Sequence, residues 1–316
     1  MKNKVLNILK NSNDFVSGEK IGNLLGISRA AINKHIKNLR EEGCTIESVT
    51  NKGYRLTNFD ILDENLFKSL NTEIIGKKIL YFEKIDSTNN KAKSIADKEN
   101  EGTIFVAKLQ TNGRGRVGRS WVDSSSNIAL SIVLKPDLEI SKASQITLLA
   151  GIAVSKILPG SLIKWPNDIV INGKKVCGIL TEIVNDVHSE NNIIVGIGIN
   201  VNNESFNEDI SEKATSLFLE TGKKYSRVEI IEKILYELDD MYKIFKKQGI
   251  FPFINQYKNL CVNIGKEVCV SYSNKIINGI AVDVSENGEL LVKTANDEIV
   301  KIFAGEVLVR GVHGYI

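Results

Sequence analysis

Hydrophobic periodicity changes twice along these 316 residues, and no single layer of secondary structure accommodates all three patterns. Residues 3–11 repeat at helical spacing, with Val5, Ile8 and Leu9 on one side and Leu6 beside them. Ser17 is placed to cap a second helix through Leu25, where Glu19 in the first turn suits the helix dipole. Gly26 punctuates, and Ser28 caps a third helix, Ser28 to Glu42, whose Ile32, Ile36 and Leu39 form a buried stripe. Gly43 ends it. Short strands at Ile46–Val49 and Tyr54–Leu56 flank the turn Asn51-Lys52-Gly53. Three helices and a hairpin in this order predict a winged helix-turn-helix over residues 1–62, with 57–66 as its linker.

The middle of the chain, 63–264, reads as an α/β body. Strands are expected at Ile79–Phe82, Ile104–Gln110, Ile128–Leu134, Ile169–Ile171, Val176–Val184 and Ile193–Val201. Helices are expected at about Asn89–Lys98, from a Ser141 cap to Leu158, and at Ser226–Lys247. Beyond 264 the pattern becomes short alternating strands: Glu267–Tyr272, Ile276–Val284, Leu290–Lys293, Ile299–Phe303 and Glu306–Arg310. Ser285-Glu286-Asn287-Gly288 is a hairpin turn among them. Five short strands in so few residues predict a small β-barrel over 265–316. The class is therefore α+β multidomain.

Charge is distributed unevenly. Residues 1–58 hold ten Lys/Arg and five Asp/Glu, a net of +5, which leaves −2 for the rest of a chain whose total is +3. A basic head on a near-neutral body points to a polyanionic partner for the head. Cys44, Cys177, Cys261 and Cys269 form no CxxC pair and no zinc spacing, so they read as reduced thiols. No segment has signal-peptide form or the ~18 apolar residues of a membrane span. The expectation is a soluble cytoplasmic protein without a membrane partner.

Three segments carry chemistry. Gln110 to Trp121 contains Gly113, Gly115 and Gly118 at the spacing G-x-G-x-x-G. A dinucleotide-binding turn needs a helix immediately after it, and here the strand Ile128–Leu134 comes next. Arg114, Arg116 and Arg119 repel one another within six residues, which suits either a solvated surface loop or a lid closing over an anion. Lys164-Trp165-Pro166-Asn167-Asp168 is either a turn with a buried Trp or part of a site that Lys175 also reaches. Gly196-Ile197-Gly198-Ile199-Asn200 is either an ordinary buried strand or one approached closely by another group. His188 and His313 have no motif around them, and His35 lies on the third helix.

These motifs in this order behind a winged helix resemble the bifunctional biotin–protein ligase and biotin operon repressor family. GRGRVGRSW, KWPND with the following GKKVCGIL, and GIGIN carry the likeness, together with Ser17-Gly18-Glu19 and the run Ser28 to Ile36 in the head. It extends over essentially the whole chain. Val117 departs from it, since that position is often basic in relatives. The resemblance implies a biotin/lipoate-ligase-type catalytic domain with a mixed sheet and a C-terminal SH3-like barrel. It implies biotin and MgATP as substrates, biotinyl-5′-AMP as intermediate, no tightly bound prosthetic group, and a carboxylase's biotin carboxyl carrier domain as acceptor. By position, Ser87, Thr88, Asn89, Gln110 and Gly115 contact substrate, while Arg114, Arg116 and Lys175 are catalytic and also hold the biotin carboxylate and adenylate. Arg116, Arg119, Trp121, Asn167 and Asn200 fall at nucleotide-contacting positions, and Asp168 where magnesium is held. Ser28, Arg29, Ala30, Asn33, Lys34 and Lys37 face operator DNA. The Gly113–Arg119 loop is expected to be disordered without ligand and ordered by biotinyl-5′-AMP, with a sheet-edge homodimer forming in that state. The rival reading is a DNA-binding sensor whose core only binds a ligand.

Overall fold

The computed structural model describes residues 1–12, 14–41, 43–58, 60, 62, 70–139, 142–184, 192–272, 275–303 and 306–309. It divides into two compact units, Met1–Asp63 with Lys224–Glu229, and Glu64–Lys223 with Ile230–Ile316.

The first unit opens with helices α1 (Lys2–Lys10), α2 (Gly18–Leu25) and α3 (Arg29–Glu41), followed by strands β1 (Thr45–Val49) and β2 (Gly53–Asn58). Both expected caps form. Ser17 accepts the Lys20 N–H at 3.1 Å and Ser28 accepts the Ala31 N–H at 3.2 Å. Gly26 ends α2 in the left-handed conformation at φ 67°. Val5, Leu6, Leu9, Ile21, Ile32, Ile36, Leu39 and Ile46 form the core, with Tyr54 and Leu56 packed against it. Burying each such aliphatic side chain is worth about 1.5–3 kcal/mol, so this stripe is the main source of stability for a small unit. The hairpin is tied to the chain before α2 by Val16 N–H to Tyr54 O at 2.8 Å and Tyr54 N–H to Val16 O at 2.9 Å. At Gly53, φ is 108° and a Cβ would stand 2.2 Å from the Val16 oxygen, so only glycine fits there. The Asp60 carboxylate accepts Arg227 Nε at 2.8 and 2.9 Å and the Arg227 N–H at 3.0 Å.

The second unit is built on a seven-stranded mixed sheet. Its elements, in chain order, are β3 (Ile79–Phe82), α4 (Thr88–Ile95), β4 (Ile104–Ala107), the two-residue strands β5 (Gly113–Arg114) and β6 (Ser120–Trp121), β7 (Asn127–Leu134), α5 (Ala143–Ile157), β8 (Leu162–Lys164), β9 (Asp168–Ile171), β10 (Lys174–Val184) and β11 (Asn192–Asn200). The order is β3-β4-β7-β11-β10-β9-β8, with β3 and β4 parallel and the other pairs antiparallel. Residues Leu180 and Gly196 are cross-strand partners on one face, the side of α4; Ile179 points to the other, against Gly151 of α5. Helices on both faces bury β7 along its whole length. β10 pairs with β9 over Lys174–Gly178 and with β11 over Cys177–Val184. Among the described residues, no strand pairs with the second side of β10 over 180–184.

Helices α6 (Glu208–Ser211), α7 (Leu217–Thr221), α8 (Arg227–Gln248) and α9 (Ile254–Leu260) follow. The chain closes with β12 (Glu267–Tyr272), β13 (Lys275–Val284), β14 (Leu290–Thr294), β15 (Ile299–Ile302) and β16 (Glu306–Val309), an antiparallel sheet in the order β15-β14-β13-β12-β16. The expected turn at 285–288 forms, and its Gly288 oxygen accepts Trp165 Nε1 at 3.0 Å. Two expectations are modified. The strand from Ile104 stops at Ala107, because residues 109–112 bond instead to Ile85 and Asp86. α4 ends at Ile95 and continues as a single 3-10 turn, Ala96–Lys98. The cap expected from Ser141 lies outside the described residues, as do Arg310, His188 and His313; α5 starts from Lys142 without a side-chain cap.

Candidate active site

A cavity opens over the glycine positions of β10 and β11, with about 470 Å³ of empty space when its solvent-open mouth is included. Ser87, Thr88, Asn89, Gln110, Arg114, Gly115, Arg116, Trp121, Asn167 and Lys175 all line it, so the three motifs converge from more than eighty residues of sequence.

Its apolar floor is Ala129, Leu130, Gly178, Leu180, Gly196 and Gly198. The glycines are explained by what lies on them. A Cβ at Gly196 would meet Asn89 Oδ1 at 2.1 Å, and one at Gly198 would meet the Trp121 ring at 2.7 Å. The close approach implied by GIGIN is thus made by Asn89 and Trp121. Gly196→Ala should push Asn89 aside, an overpacking penalty of about 1–3 kcal/mol, and weaken binding of the biotin that the resemblance implies by about 5–150-fold in calorimetry. Unchanged affinity would show that Asn89 is not needed where it stands.

A polar network closes one end. Ser87 caps α4, accepting the Asn90 N–H at 3.4 Å, and so presents Thr88 and Asn89 to the cavity. Gln110 Oε1 accepts the Thr88 N–H at 2.8 Å, and the Ser131 hydroxyl donates to Asn89 Oδ1 at 2.6 Å. Asp123 holds the Gln110 N–H at 2.7 Å. Burial pushes the Asp123 carboxyl above its ordinary range, against the hydrogen bonds from Gln110 and Ser124.

Cations occupy the other side, and each has an internal acceptor. Arg114 reaches Asn90 Oδ1 at 3.0 Å and Glu182 at 3.1 Å. Arg116 donates to Asn167 Oδ1 at 2.8 Å, while Asn167 Nδ2 donates to the Ile179 oxygen at 2.9 Å. Lys175 pairs with Asp168 at 2.6 Å and sits 5.8 Å from the Trp121 ring centroid. The sequence reading set the arginines against one another; here Arg114 and Arg116 are separated onto different partners. The loop from Arg114 to Ser120 is closed by the β5–β6 pair and by Gly115 N–H to Arg119 O at 2.7 Å. Val117 at its tip is exposed and takes φ 52°.

Several predicted positions do other work. Arg119 is exposed and does not line the cavity. Asn200 is buried, with Nδ2 donating to the Thr215 oxygen at 3.0 Å, and so braces the segment that bonds to the Lys175 backbone. Asp168 lies just behind Lys175 rather than in the lining. Trp165 is buried, its amide held by Asn263 Oδ1 at 2.7 Å, so the Trp of KWPND is structural. No group of three or more His, Cys, Asp or Glu is placed to hold a metal among the described residues. Residues the sequence reading did not single out include Asn90, Asp123, Ser131 and Glu182; Asn90 and Asp123 adjoin motif residues, while Ser131 and Glu182 sit inside strands that carry no local signal for them.

In the first unit, Arg29, Ala30, Asn33, Lys34 and Lys37 are all exposed on α3, as is Ser28 at its cap. Tyr54 of the hairpin donates its hydroxyl to Asn33 Oδ1, so hairpin and helix present one surface. His35 is half-buried.

Comparison with known proteins gives three family matches: an HTH domain at residues 2–55, the biotin/lipoate A/B protein ligase family at 81–200, and the biotin protein ligase C terminal domain at 264–310. The chain is 37% identical to the bifunctional ligase/repressor BirA of Bacillus subtilis, over 93% of this chain and 94% of that one. It is 30% identical to BirA of Escherichia coli, over 97% and 96% respectively. Its fold is similar to that of the biotin protein ligase from Aquifex aeolicus in complex with biotin and ATP, at a TM-score of 0.67 and 33% identity, covering 74% of this chain and 99% of the other. With motifs, fold and cavity in agreement over nearly its full length, the chain belongs to the family of bifunctional biotin ligase/repressors.

Proposed function

We propose that this protein is an ATP-dependent biotin–protein ligase and a biotin-responsive repressor. The observation that carries the proposal is one cavity with a polar amide-and-hydroxyl network at one end and Arg114, Arg116 and Lys175 at the other. Ser87, Thr88, Asn89 and Gln110 hold the biotin rings, the glycine floor takes the valeryl chain, and the carboxylate points at the cations. ATP would arrive with magnesium, and Asp168, paired with Lys175, would be the residue that helps hold the ion. The carboxylate oxygen attacks the α-phosphorus, the bond to the bridging oxygen breaks, and pyrophosphate leaves. The acceptor's lysine amine then attacks the carbonyl carbon of biotinyl-5′-AMP, AMP leaves, and the amine loses a proton.

That first step brings two anions together. Guanidinium and ammonium groups offset the repulsion without competing as nucleophiles, since arginine stays protonated. Binding exchanges the internal acceptors Glu182, Asn90, Asn167 and Asp168 for substrate oxygens, so the cations are positioned before the ligand comes. Arg119, Trp121, Asn167 and Asn200 shape the nucleotide side directly or through the segments they brace. The test is intact-mass measurement of a carboxyl carrier domain incubated with the protein, biotin and MgATP, with pyrophosphate release in step. A folded, biotin-binding protein that leaves the acceptor unmodified would favour the sensor reading.

The basic head reads DNA. α3 enters a major groove, with Arg29 and Asn33 toward base edges, Ser28 and Ala30 at the entering end, and Lys34 and Lys37 toward phosphates. Lys34→Ala should weaken binding to all sequences alike and reduce the salt slope by about 1. An unchanged slope in a filter or anisotropy titration would remove that contact. Biotinyl-5′-AMP orders the Gly113–Arg119 loop, and the one-sided stretch of β10 pairs with its copy across a two-fold axis, which suits a palindromic operator. The setting is cytoplasmic, and no helix among the described residues is long and apolar enough to cross a membrane.

A further inference from the structure

We infer that Glu182 is a positioning residue for the biotin end of the cavity: its carboxylate decides which end of the Asn89 amide faces the ligand. The inference rests on the ligase reading. Glu182 stands on β10 with its side chain 15% exposed, and three donors converge on it: Asn89 Nδ2 at 2.9 Å, Lys93 Nζ at 3.0 Å and Arg114 Nη1 at 3.1 Å. Burial pushes the carboxyl up, and the bonds from Asn89 and Lys93 with the nearby charges outweigh it, leaving it below the usual carboxylate range.

An amide has two ends of opposite polarity on nearly the same shape, so packing alone does not orient it. Asn89 lies over Gly196, whose missing Cβ makes the space for its amide. Reversal would turn Oδ1 toward the Glu182 carboxylate, placing two acceptors against each other, and would break the 2.6 Å bond from Ser131. With Glu182 ionised, Asn89 therefore offers its oxygen to the cavity floor in a single orientation, available to an N–H donor of the bound ring. Arg114 also reaches this carboxylate, a contact that binding exchanges for substrate oxygens, so Glu182 acts on the bound ring through Asn89. Lys93, one helical turn beyond Asn89, balances the charge.

The test uses the full-length protein with biotin as the probe. Glu182→Gln, which keeps the shape and loses the charge, should weaken biotin binding in calorimetry by about 10–100-fold and raise KM for biotin. KM for MgATP and kcat at saturating biotin should change much less. In an Asn89→Ala background the same substitution should add less than about twofold, because its effect acts through Asn89. Additive losses, or an Asn89-independent fall in kcat alone, would overturn the role. Should Glu182→Gln fail to fold, the swap N89D/E182Q is compared with N89D. The swap keeps a hydrogen bond between the positions and an oxygen toward Ser131, so it should bind biotin at least tenfold better than N89D; equal binding would overturn the inference. Wild-type protein in the same cell separates the two readings, since failure of wild type to bind biotin would sink the ligase reading as well.

Discussion

Lys175→Gln should slow biotinyl-5′-AMP formation by about 10²–10³-fold, the loss typical when one preorganised donor is removed from a site of developing charge. Biotin binding should fall only a few-fold, because the Thr88, Asn89 and Gln110 network proposed to hold the rings does not include Lys175. Lys175 is poised by three contacts: its backbone N–H bonds to Lys213 O at 2.8 Å, its ammonium to Asp168 at 2.6 Å, and its charge faces the Trp121 ring. A fixed cation needs no reorganisation when charge moves to the bridging oxygen, which is why its removal acts on turnover more than on affinity. Glutamine retains a donor for Asp168, so this buried carboxylate is not left without a partner and the fold is kept. Single-turnover formation of labelled adenylate is the measurement, with the thermal midpoint as control. A rate within threefold of wild type would remove Lys175 from the chemistry.

Gly53→Val should abolish operator binding while leaving ligation within a few-fold of wild type. The substitution puts a β-branched residue at φ 108° with its Cβ 2.2 Å from the Val16 oxygen. Strained backbone of this kind costs about 1–3 kcal/mol, and the clash also breaks the paired bonds between Val16 and Tyr54 that hold the hairpin. Tyr54 in turn holds Asn33 on α3, the helix proposed to enter the groove. A unit of this size has little stability to spare, so affinity for operator should fall by at least about 100-fold. Anisotropy titration and acceptor mass shift on the same preparation check both halves. Retained operator binding would mean that the hairpin is not part of the DNA surface. Deleting residues 1–62 is a blunter way to separate the activities, because it also removes Asp60 and leaves the guanidinium of Arg227, only 4% exposed, without that acceptor.

The sequence by itself determined what depends on near neighbours. The caps at Ser17 and Ser28, the stripe Ile32, Ile36 and Leu39, and the turn before Gly288 follow from rules that act within a few residues, and they appear where the pattern put them. The motif order was equally legible, and with it the family and most of the cavity lining. Only the tertiary structure decided how those groups are used. Register between β10 and β11 sets Leu180 opposite Gly196 and Glu182 opposite Ile194, and no local signal marks Glu182 as the partner of Asn89 and Arg114. Loop closure likewise turned Asn200 to the Thr215 backbone, set Asp168 against Lys175, and buried Trp165 beneath Gly288. Alternation in a strand states which face a side chain takes; which distant donor meets it there depends on strand pairing and helix packing across more than ninety residues, where many arrangements satisfy the same pattern of polar and apolar positions.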